Sequence, residues 1–274
     1  MMNDDLIEEL AKFAHVLADA AGKAILPYFR TPLVVDNKAG EQAFDPVTVA
    51  DKEAEEVIRQ LIETHYPDHG IVGEEHGIKE SKCGLNWVLD PIDGTRAFIM
   101  GLPTWGTLIA LNEDGQPLIG IMDQPYVGER FSGTPKGTEV TYRGHTRPLK
   151  SRACPSLSEA VIAATHPSMF NTPELMDGYQ AVSHQARLSR YGGDCYLYSL
   201  IASGCVDLAI EASLETYDVQ ALIPIIEGAG GRMCTWDGGS AADGGAILAA
   251  GDPKLLDEVL EVIANSRPNM ESKL

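Results

Sequence analysis

The sequence predicts a layered α/β protein, and three observations carry that prediction. Apolar residues recur at three- and four-residue steps through the first thirty positions and again over 54–62. Strand-like segments separated by turns fill 105–142, and strands and helices alternate from 160 to 264. In the first region, Leu6, Leu10, Phe13, Leu17, Ala21, Ala24 and Tyr28 form one face of a long amphipathic helix. The mixed stretch 33–44 reads as extended or hairpin structure, with a mobile loop at Lys38-Ala39-Gly40. Thr48 resembles the N-cap of a second helix whose buried face is Ala54, Val57, Ile58, Leu61 and Ile62. Asp51 is that helix's first-turn acid, and its plain structural role is to complete a capping box with Thr48.

Ile71-Val72-Gly73 is a short strand ending in Glu74 and Glu75, at the carboxyl end where α/β enzymes keep ligands. Trp87-Val88-Leu89 reads as the end of another buried strand. Segments 106–111, 118–122, 129–133 and 139–142, with a hairpin signal at Glu113-Asp114-Gly115, predict an antiparallel sheet. A stretch rich in Arg, Lys, Pro and Ser over 144–158 marks a boundary between two parts, 1–150 and 151–274. The second part has strands at 160–164, near Leu188, at 206–210 and at 246–250, and helices at 173–179, 194–203, 219–228 and 253–264. Asp252 and Pro253 open the last helix. Pro224 sits awkwardly inside the helix 219–228.

A net charge of -19 argues against nucleic acid as a partner, because phosphate backbones bind basic surfaces. A small anionic substrate remains compatible, since bound divalent cations reverse the local sign. No apolar run spans a bilayer and the acidic N-terminus is no signal peptide, so a cytoplasmic protein without a membrane partner is expected. Five cysteines without a CxxC pair fit reduced thiols in the same compartment. His65, His69 and His76 lack zinc spacing and read as surface residues.

The chemistry concentrates in Asp90-Pro91-Ile92-Asp93-Gly94-Thr95. Pro91 turns the chain and leaves the Ile92 carbonyl pointing outward, flanked by two carboxylates; such hard oxygens suit Mg²⁺. Gly94 permits close backbone approach, and Thr95 opens a short helix whose N–H groups favour a phosphate. An Asx-type turn accounts for the same residues without any chemistry. What tips the balance is the set of acids beside turns elsewhere: Asp51, Glu74, Asp90, Asp93 and Asp218.

That set resembles the inositol monophosphatase-like family of Mg²⁺-dependent, Li⁺-sensitive phosphatases. The resemblance rests on Asp45-Pro46-Val47-Thr48-Val49-Ala50-Asp51, Gly73-Glu74-Glu75, Trp87-Val88-Leu89-Asp90-Pro91-Ile92-Asp93-Gly94-Thr95 and Tyr217-Asp218-Val219-Gln220-Ala221, and covers essentially the whole chain. It implies an αβαβα layered sandwich and two or three Mg²⁺ ions. Glu74, Asp90 and the Ile92 carbonyl would hold one ion, and Asp90, Asp93 and Asp218 a second. Asp51 and Thr95 would orient and deprotonate the attacking water, with Glu74 at the same centre, while Gly94 and Thr95 would offer N–H groups to the phosphate. The chemistry implied is in-line displacement by water between two metals. A haloacid-dehalogenase phosphatase needs Asp-x-Asp; here Pro91 and Ile92 add one residue too many. A non-enzymatic regulatory relative is disfavoured because every ligand type is present.

Segments 96–111, 124–131 and 192–196 resemble the histidinol-phosphatase branch more than the inositol-specific members, so L-histidinol phosphate is the expected substrate. Inositol 1-phosphate and broader sugar or nucleotide phosphates are the alternative. A cationic substrate wants a carboxylate in the pocket, and Asp194 is the candidate; the resemblance implies that Glu211, seven residues before Asp218, contacts the hydroxyls or amine of the leaving group, and Arg190 would brace the substrate. For Asp194 an ordinary N-cap is the competing role, and for Arg190 a solvated surface position. Lys38 lies near a family lysine, but the intervening Gly-Glu-Gln leaves its match open. The sequence itself is silent on oligomeric state; the resemblance implies a homodimer.

Overall fold

A computed structural model describes residues 3–32, 35–37 and 46–266. The Lys38-Ala39-Gly40 loop, most of the 33–44 stretch and Asp45 lie outside the described residues. Helix α1 (Asp4–Ile25) starts at Asn3, whose Oδ1 accepts the Leu6 N–H at 2.8 Å, and buries Leu10, Phe13, Leu17 and Ala21. It is shorter than the thirty-residue expectation because the chain turns after Ile25, where the Tyr28 N–H donates back to the Ile25 carbonyl. Strand β1 (Val35–Asn37) pairs antiparallel with β2 (Pro46–Thr48). Thr48 then caps α2 (Val49–His65).

Strand β3 (Gly70–Gly73) turns back into β4 (Gly77–Lys79) and runs parallel to β5 (Leu85–Asp93). Helix α3 (Thr95–Met100) follows. An antiparallel meander completes the sheet: β6 (Gly106–Glu113), β7 (Gln116–Gln124), β8 (Glu129–Thr134), β9 (Gly137–Tyr142) and β10 (His145–Pro148). Asp114 and Gly115 join β6 to β7 at φ 50° and 83°, the left-handed pair a two-residue hairpin demands. Alternate residues of β5 face opposite ways, Trp87 and Leu89 toward α1 and α2, Val88 toward the second half. Both faces are buried, which is why this strand is apolar throughout its middle.

The second half contributes β11 (Val161–Ala164), α4 (Pro173–Ser183), β12 (Leu188–Tyr191), α5 (Tyr196–Ala202), β13 (Leu208–Leu214), α6 (Thr216–Val219) and α7 (Leu222–Gly228). It ends with β14 (Arg232–Thr235), β15 (Gly245–Ala250) and α8 (Pro253–Ser266). The five layers are α1 and α2, the eight-stranded sheet, α5 and α7, a five-stranded sheet in the order β12-β11-β13-β15-β14, and α4 with α8. This is the αβαβα sandwich. Between the sheets, Val88, Leu108 and Met122 share one apolar layer with Leu197, Ile225 and Ile226.

Several elements differ from the sequence expectation. The helix expected over 219–228 is two, broken at Gln220-Ala221, so Pro224 falls in the first turn of α7 where no N–H is needed. β10 lies inside the expected boundary segment, and β4 and β14 are additional. His69 is buried rather than superficial: its Nδ1 accepts the Trp87 indole N–H at 3.1 Å, and its ring stacks on Tyr66.

Candidate active site

The acids at element ends converge, and one local device places four of them. A backbone N–H pins one oxygen of each carboxylate, which leaves its other oxygen for a further partner. Asp51 Oδ2 accepts from Thr48 N at 2.9 Å, Asp90 Oδ1 from Ile92 N at 3.0 Å, Asp93 Oδ2 from Cys195 N at 2.7 Å, and Asp218 Oδ2 from Glu215 N at 2.7 Å. Asp51 and Asp218 each occupy the third position of a capping box, so the structural role expected for Asp51 is real. The Asp93 bond crosses from the first half to the second. As a result, one oxygen from each of Asp90, Asp93 and Asp218 lies within 4.8 Å of the others.

β5 runs on through the motif to Asp93, four residues past the expected strand end, and its register against β6 shifts between Asp90 and Asp93. That irregularity turns both carboxylates toward one side. The Glu74 carboxylate lies close enough to Asp90 to disfavour its charge, and the Glu74 backbone N–H donates to the Leu89 carbonyl at 3.2 Å. The Ile92 carbonyl accepts from Thr95 Oγ1 at 3.1 Å, so it is partly engaged, with a second lone pair remaining. Thr95 Oγ1 also stands 3.5 Å from Asp51 Oδ1. Gly94, at φ 85°, is the N-cap of α3; a Cβ there would meet Asp194 at 2.9 Å.

A cleft of about 390 Å³ opens beside this cluster, and Glu74, Asp93, Gly94, Thr95, Asp194, Glu211 and Asp218 are among the residues that line it. Asp194 Oδ2 accepts from Thr104 Oγ1 at 3.0 Å. Glu211 is fully committed within the wall: its carboxylate takes the Thr165 N–H at 2.7 Å and the Tyr198 hydroxyl at 2.8 Å. Arg190 lies exposed on β12 and is not among the residues lining the cleft. Arg96, His166 and Asn171, which line it, were not singled out from sequence, and neither was Glu55, one turn after Asp51.

Electrostatically the cluster is poised for a cation. Burial pushes Asp90 well above the usual carboxylate range, and Glu74, Asp93 and Asp218 push it further. Asp93 is raised by burial and then by Asp218 and Asp194. Burial lifts Asp218 to about 7, against the opposing Glu215 N–H. Asp51 is raised by burial as well. Hard oxygens that repel one another are the donor set Mg²⁺ relieves, so Glu74, Asp90, Asp93, Asp218 and the Ile92 carbonyl could hold it. A sign follows for stability. Raised carboxyls mean that the folded, metal-free chain binds more protons than the unfolded chain from about pH 4 to about pH 7. Its stability falls as pH rises through that window. The melting-temperature gain on adding Mg²⁺ should therefore grow from about pH 5.5 to about pH 8. Thermal melts showing a gain independent of pH would contradict the cage.

A five-layer sandwich closing an acidic cleft at strand ends defines an enzyme of phosphatase type, and the comparisons agree. Residues 6–272 match the inositol monophosphatase family. The chain is 40% identical over 271 residues to the chloroplastic bifunctional phosphatase IMPL2 of Arabidopsis thaliana, across 95% of this chain and 76% of that protein. It is 36% identical over 236 residues to the histidinol-phosphatase of Chlorobaculum parvum, across 85% and 89% of the two chains. It superposes with a TM-score of 0.83 on an inositol monophosphatase from Zymomonas mobilis, at 41% identity over 94% of this chain and 98% of the other. The chain belongs to the inositol monophosphatase family. Among the described residues, no helix is long and apolar enough to cross a membrane.

Proposed function

We propose that this chain is a Mg²⁺-dependent phosphomonoesterase acting on a small phosphorylated metabolite, as a cytoplasmic homodimer. The observation that supports it is the meeting of Asp90, Asp93 and Asp218 oxygens within 4.8 Å, beside a cleft that is also lined by Thr95, the neighbour of Asp51 Oδ1. Glu74, Asp90 and the Ile92 carbonyl hold one ion in this reading, and Asp90, Asp93 and Asp218 another. When bound, the ions supply positive charge that acidifies water and offsets charge developing on the leaving oxygen. The chain does the rest. Asp51 Oδ1 takes the proton of the Thr95 hydroxyl, which then orients the attacking water and accepts its proton in turn. Gly94 and Thr95 aim the phosphate with their backbone N–H groups.

For the alcohol half of the ester, the Zymomonas mobilis structure supports inositol 1-phosphate or a similar polyol or sugar phosphate. L-Histidinol phosphate, expected from the sequence segments, is the second reading. It is favoured by the carboxylate of Asp194, which lines the cleft and could meet an ammonium, and by the histidinol-phosphatase relatives. The test is steady-state hydrolysis of inositol 1-phosphate, L-histidinol phosphate, fructose 1,6-bisphosphate and 3′-phosphoadenosine 5′-phosphate under Mg²⁺. Mg²⁺-dependent release is expected, with kcat/KM highest for inositol 1-phosphate. A clear lead for histidinol phosphate reverses the order of the two readings, and no release from any ester sinks both.

A further inference from the structure

We infer that Glu55 is a positioning residue for the metal cage, fixing Glu74 through the turn between β3 and β4. The inference rests on the proposed Mg²⁺-dependent reading. Glu55 follows Asp51 by one turn of α2, so the helix presents both acids on the same side. Its side chain is 0% exposed. Its carboxylate accepts the Glu75 N–H at 2.7 Å and the His76 N–H at 3.0 Å, and Arg59 Nε donates to it at 2.7 Å. Arg59 also donates to the Gly77 carbonyl. The three residues that follow Glu74 are thus tied to α2, while the N–H of Glu74 itself is tied to Leu89, one residue before Asp90.

Gly73 shows how closely the carboxylate is fitted. A Cβ at that position would overlap Glu55 Oε1, so the strand leaves out a side chain where the acid enters. Packing alone gives no reason for a charge here. An apolar side chain of similar volume would fill the space with a smaller desolvation penalty. It could not accept two N–H groups of the turn, and those two bonds set the direction in which residue 74 leaves the strand.

The experiment titrates Mg²⁺ calorimetrically into the full chain and its Glu55→Ala, Glu55→Gln and Gly73→Ala variants. Melting temperature and turnover at saturating Mg²⁺ are read alongside. Glu55→Ala should weaken Mg²⁺ binding roughly 10- to 100-fold, the usual loss when a partner behind a ligand is removed. Glu55→Gln keeps one acceptor and should recover part of that loss, and Gly73→Ala, which displaces the acid without deleting it, should move in the same direction. Turnover at saturating Mg²⁺ should stay within about threefold. Asp207→Asn is the control, since it breaks the ion pair between the buried Asp207, just before β13, and the exposed Arg152. It should lower the melting temperature and leave Mg²⁺ affinity unchanged. If the Glu55 and Gly73 variants melt early yet bind Mg²⁺ as the parent does, Glu55 is only a brace and the inference fails. If Glu55→Ala does not fold, the other two variants decide the matter. A parent chain that binds no Mg²⁺ overturns the underlying reading as well, a result distinct from failure of the variants alone.

Discussion

Asp93→Asn is expected to reduce phosphate release by at least about a thousandfold, equivalent to ~4 kcal/mol in the barrier. The fold should survive, because an asparagine Oδ1 can still accept the Cys195 N–H that bridges the two halves. Stability should in fact move the opposite way to activity. Burial and then Asp218 and Asp194 disfavour the charge on Asp93, so neutralising it relieves repulsion in the metal-free protein. The variant should melt higher than the parent without Mg²⁺ and gain less when Mg²⁺ is added. Near-parental turnover would remove Asp93 from the metal set, and a large loss of melting temperature would show the fold, rather than the chemistry, depending on its charge.

Asp51→Asn should cost about 10²- to 10⁴-fold in kcat, the range expected for removing a general base. This variant separates two functions that meet in one side chain. The amide oxygen can keep the capping bond from Thr48 N, while the amide nitrogen would face Thr95 Oγ1 and could not take its proton. A pH–rate profile should accordingly lose its lower limb while the melting temperature changes little. Retention of the limb would assign the base elsewhere.

The clustered acids of the candidate site were legible in the sequence because they stand beside residues that punctuate structure. Asp90 and Asp93 flank Pro91 and precede Gly94, Asp51 follows a cap, and Glu74 ends a short strand. The meander was legible for a similar reason: Asp114-Gly115 fixes one turn, and the strands alternate around it. What escaped has physical causes. All four residues of β10 are exposed and pair on one side only, so no burial pattern marks them. The break between α6 and α7 depends on Gln220, whose buried amide is held by Asn112 and the Ala242 carbonyl, contacts far away in sequence. Glu55 lies between Glu53 and Glu56 in an acidic stretch that reads as the solvated face of α2, and its inward direction depends on N–H partners at Glu75 and His76 and on the space left at Gly73, all distant in sequence. Arg190 illustrates the converse, a plausible neighbour of Asp194 in sequence that the β12 edge carries away from the cleft.

The shared use of Asp51 and Asp218 as capping residues and as acids of the candidate site has a consequence for mutagenesis by truncation. An alanine at either position would fray the start of a helix and strip the candidate site in one stroke, so a dead variant would say nothing about which loss mattered. Only isosteric exchange to the amide keeps the two apart. Library screens that score these positions by alanine alone would misread half of what they measure.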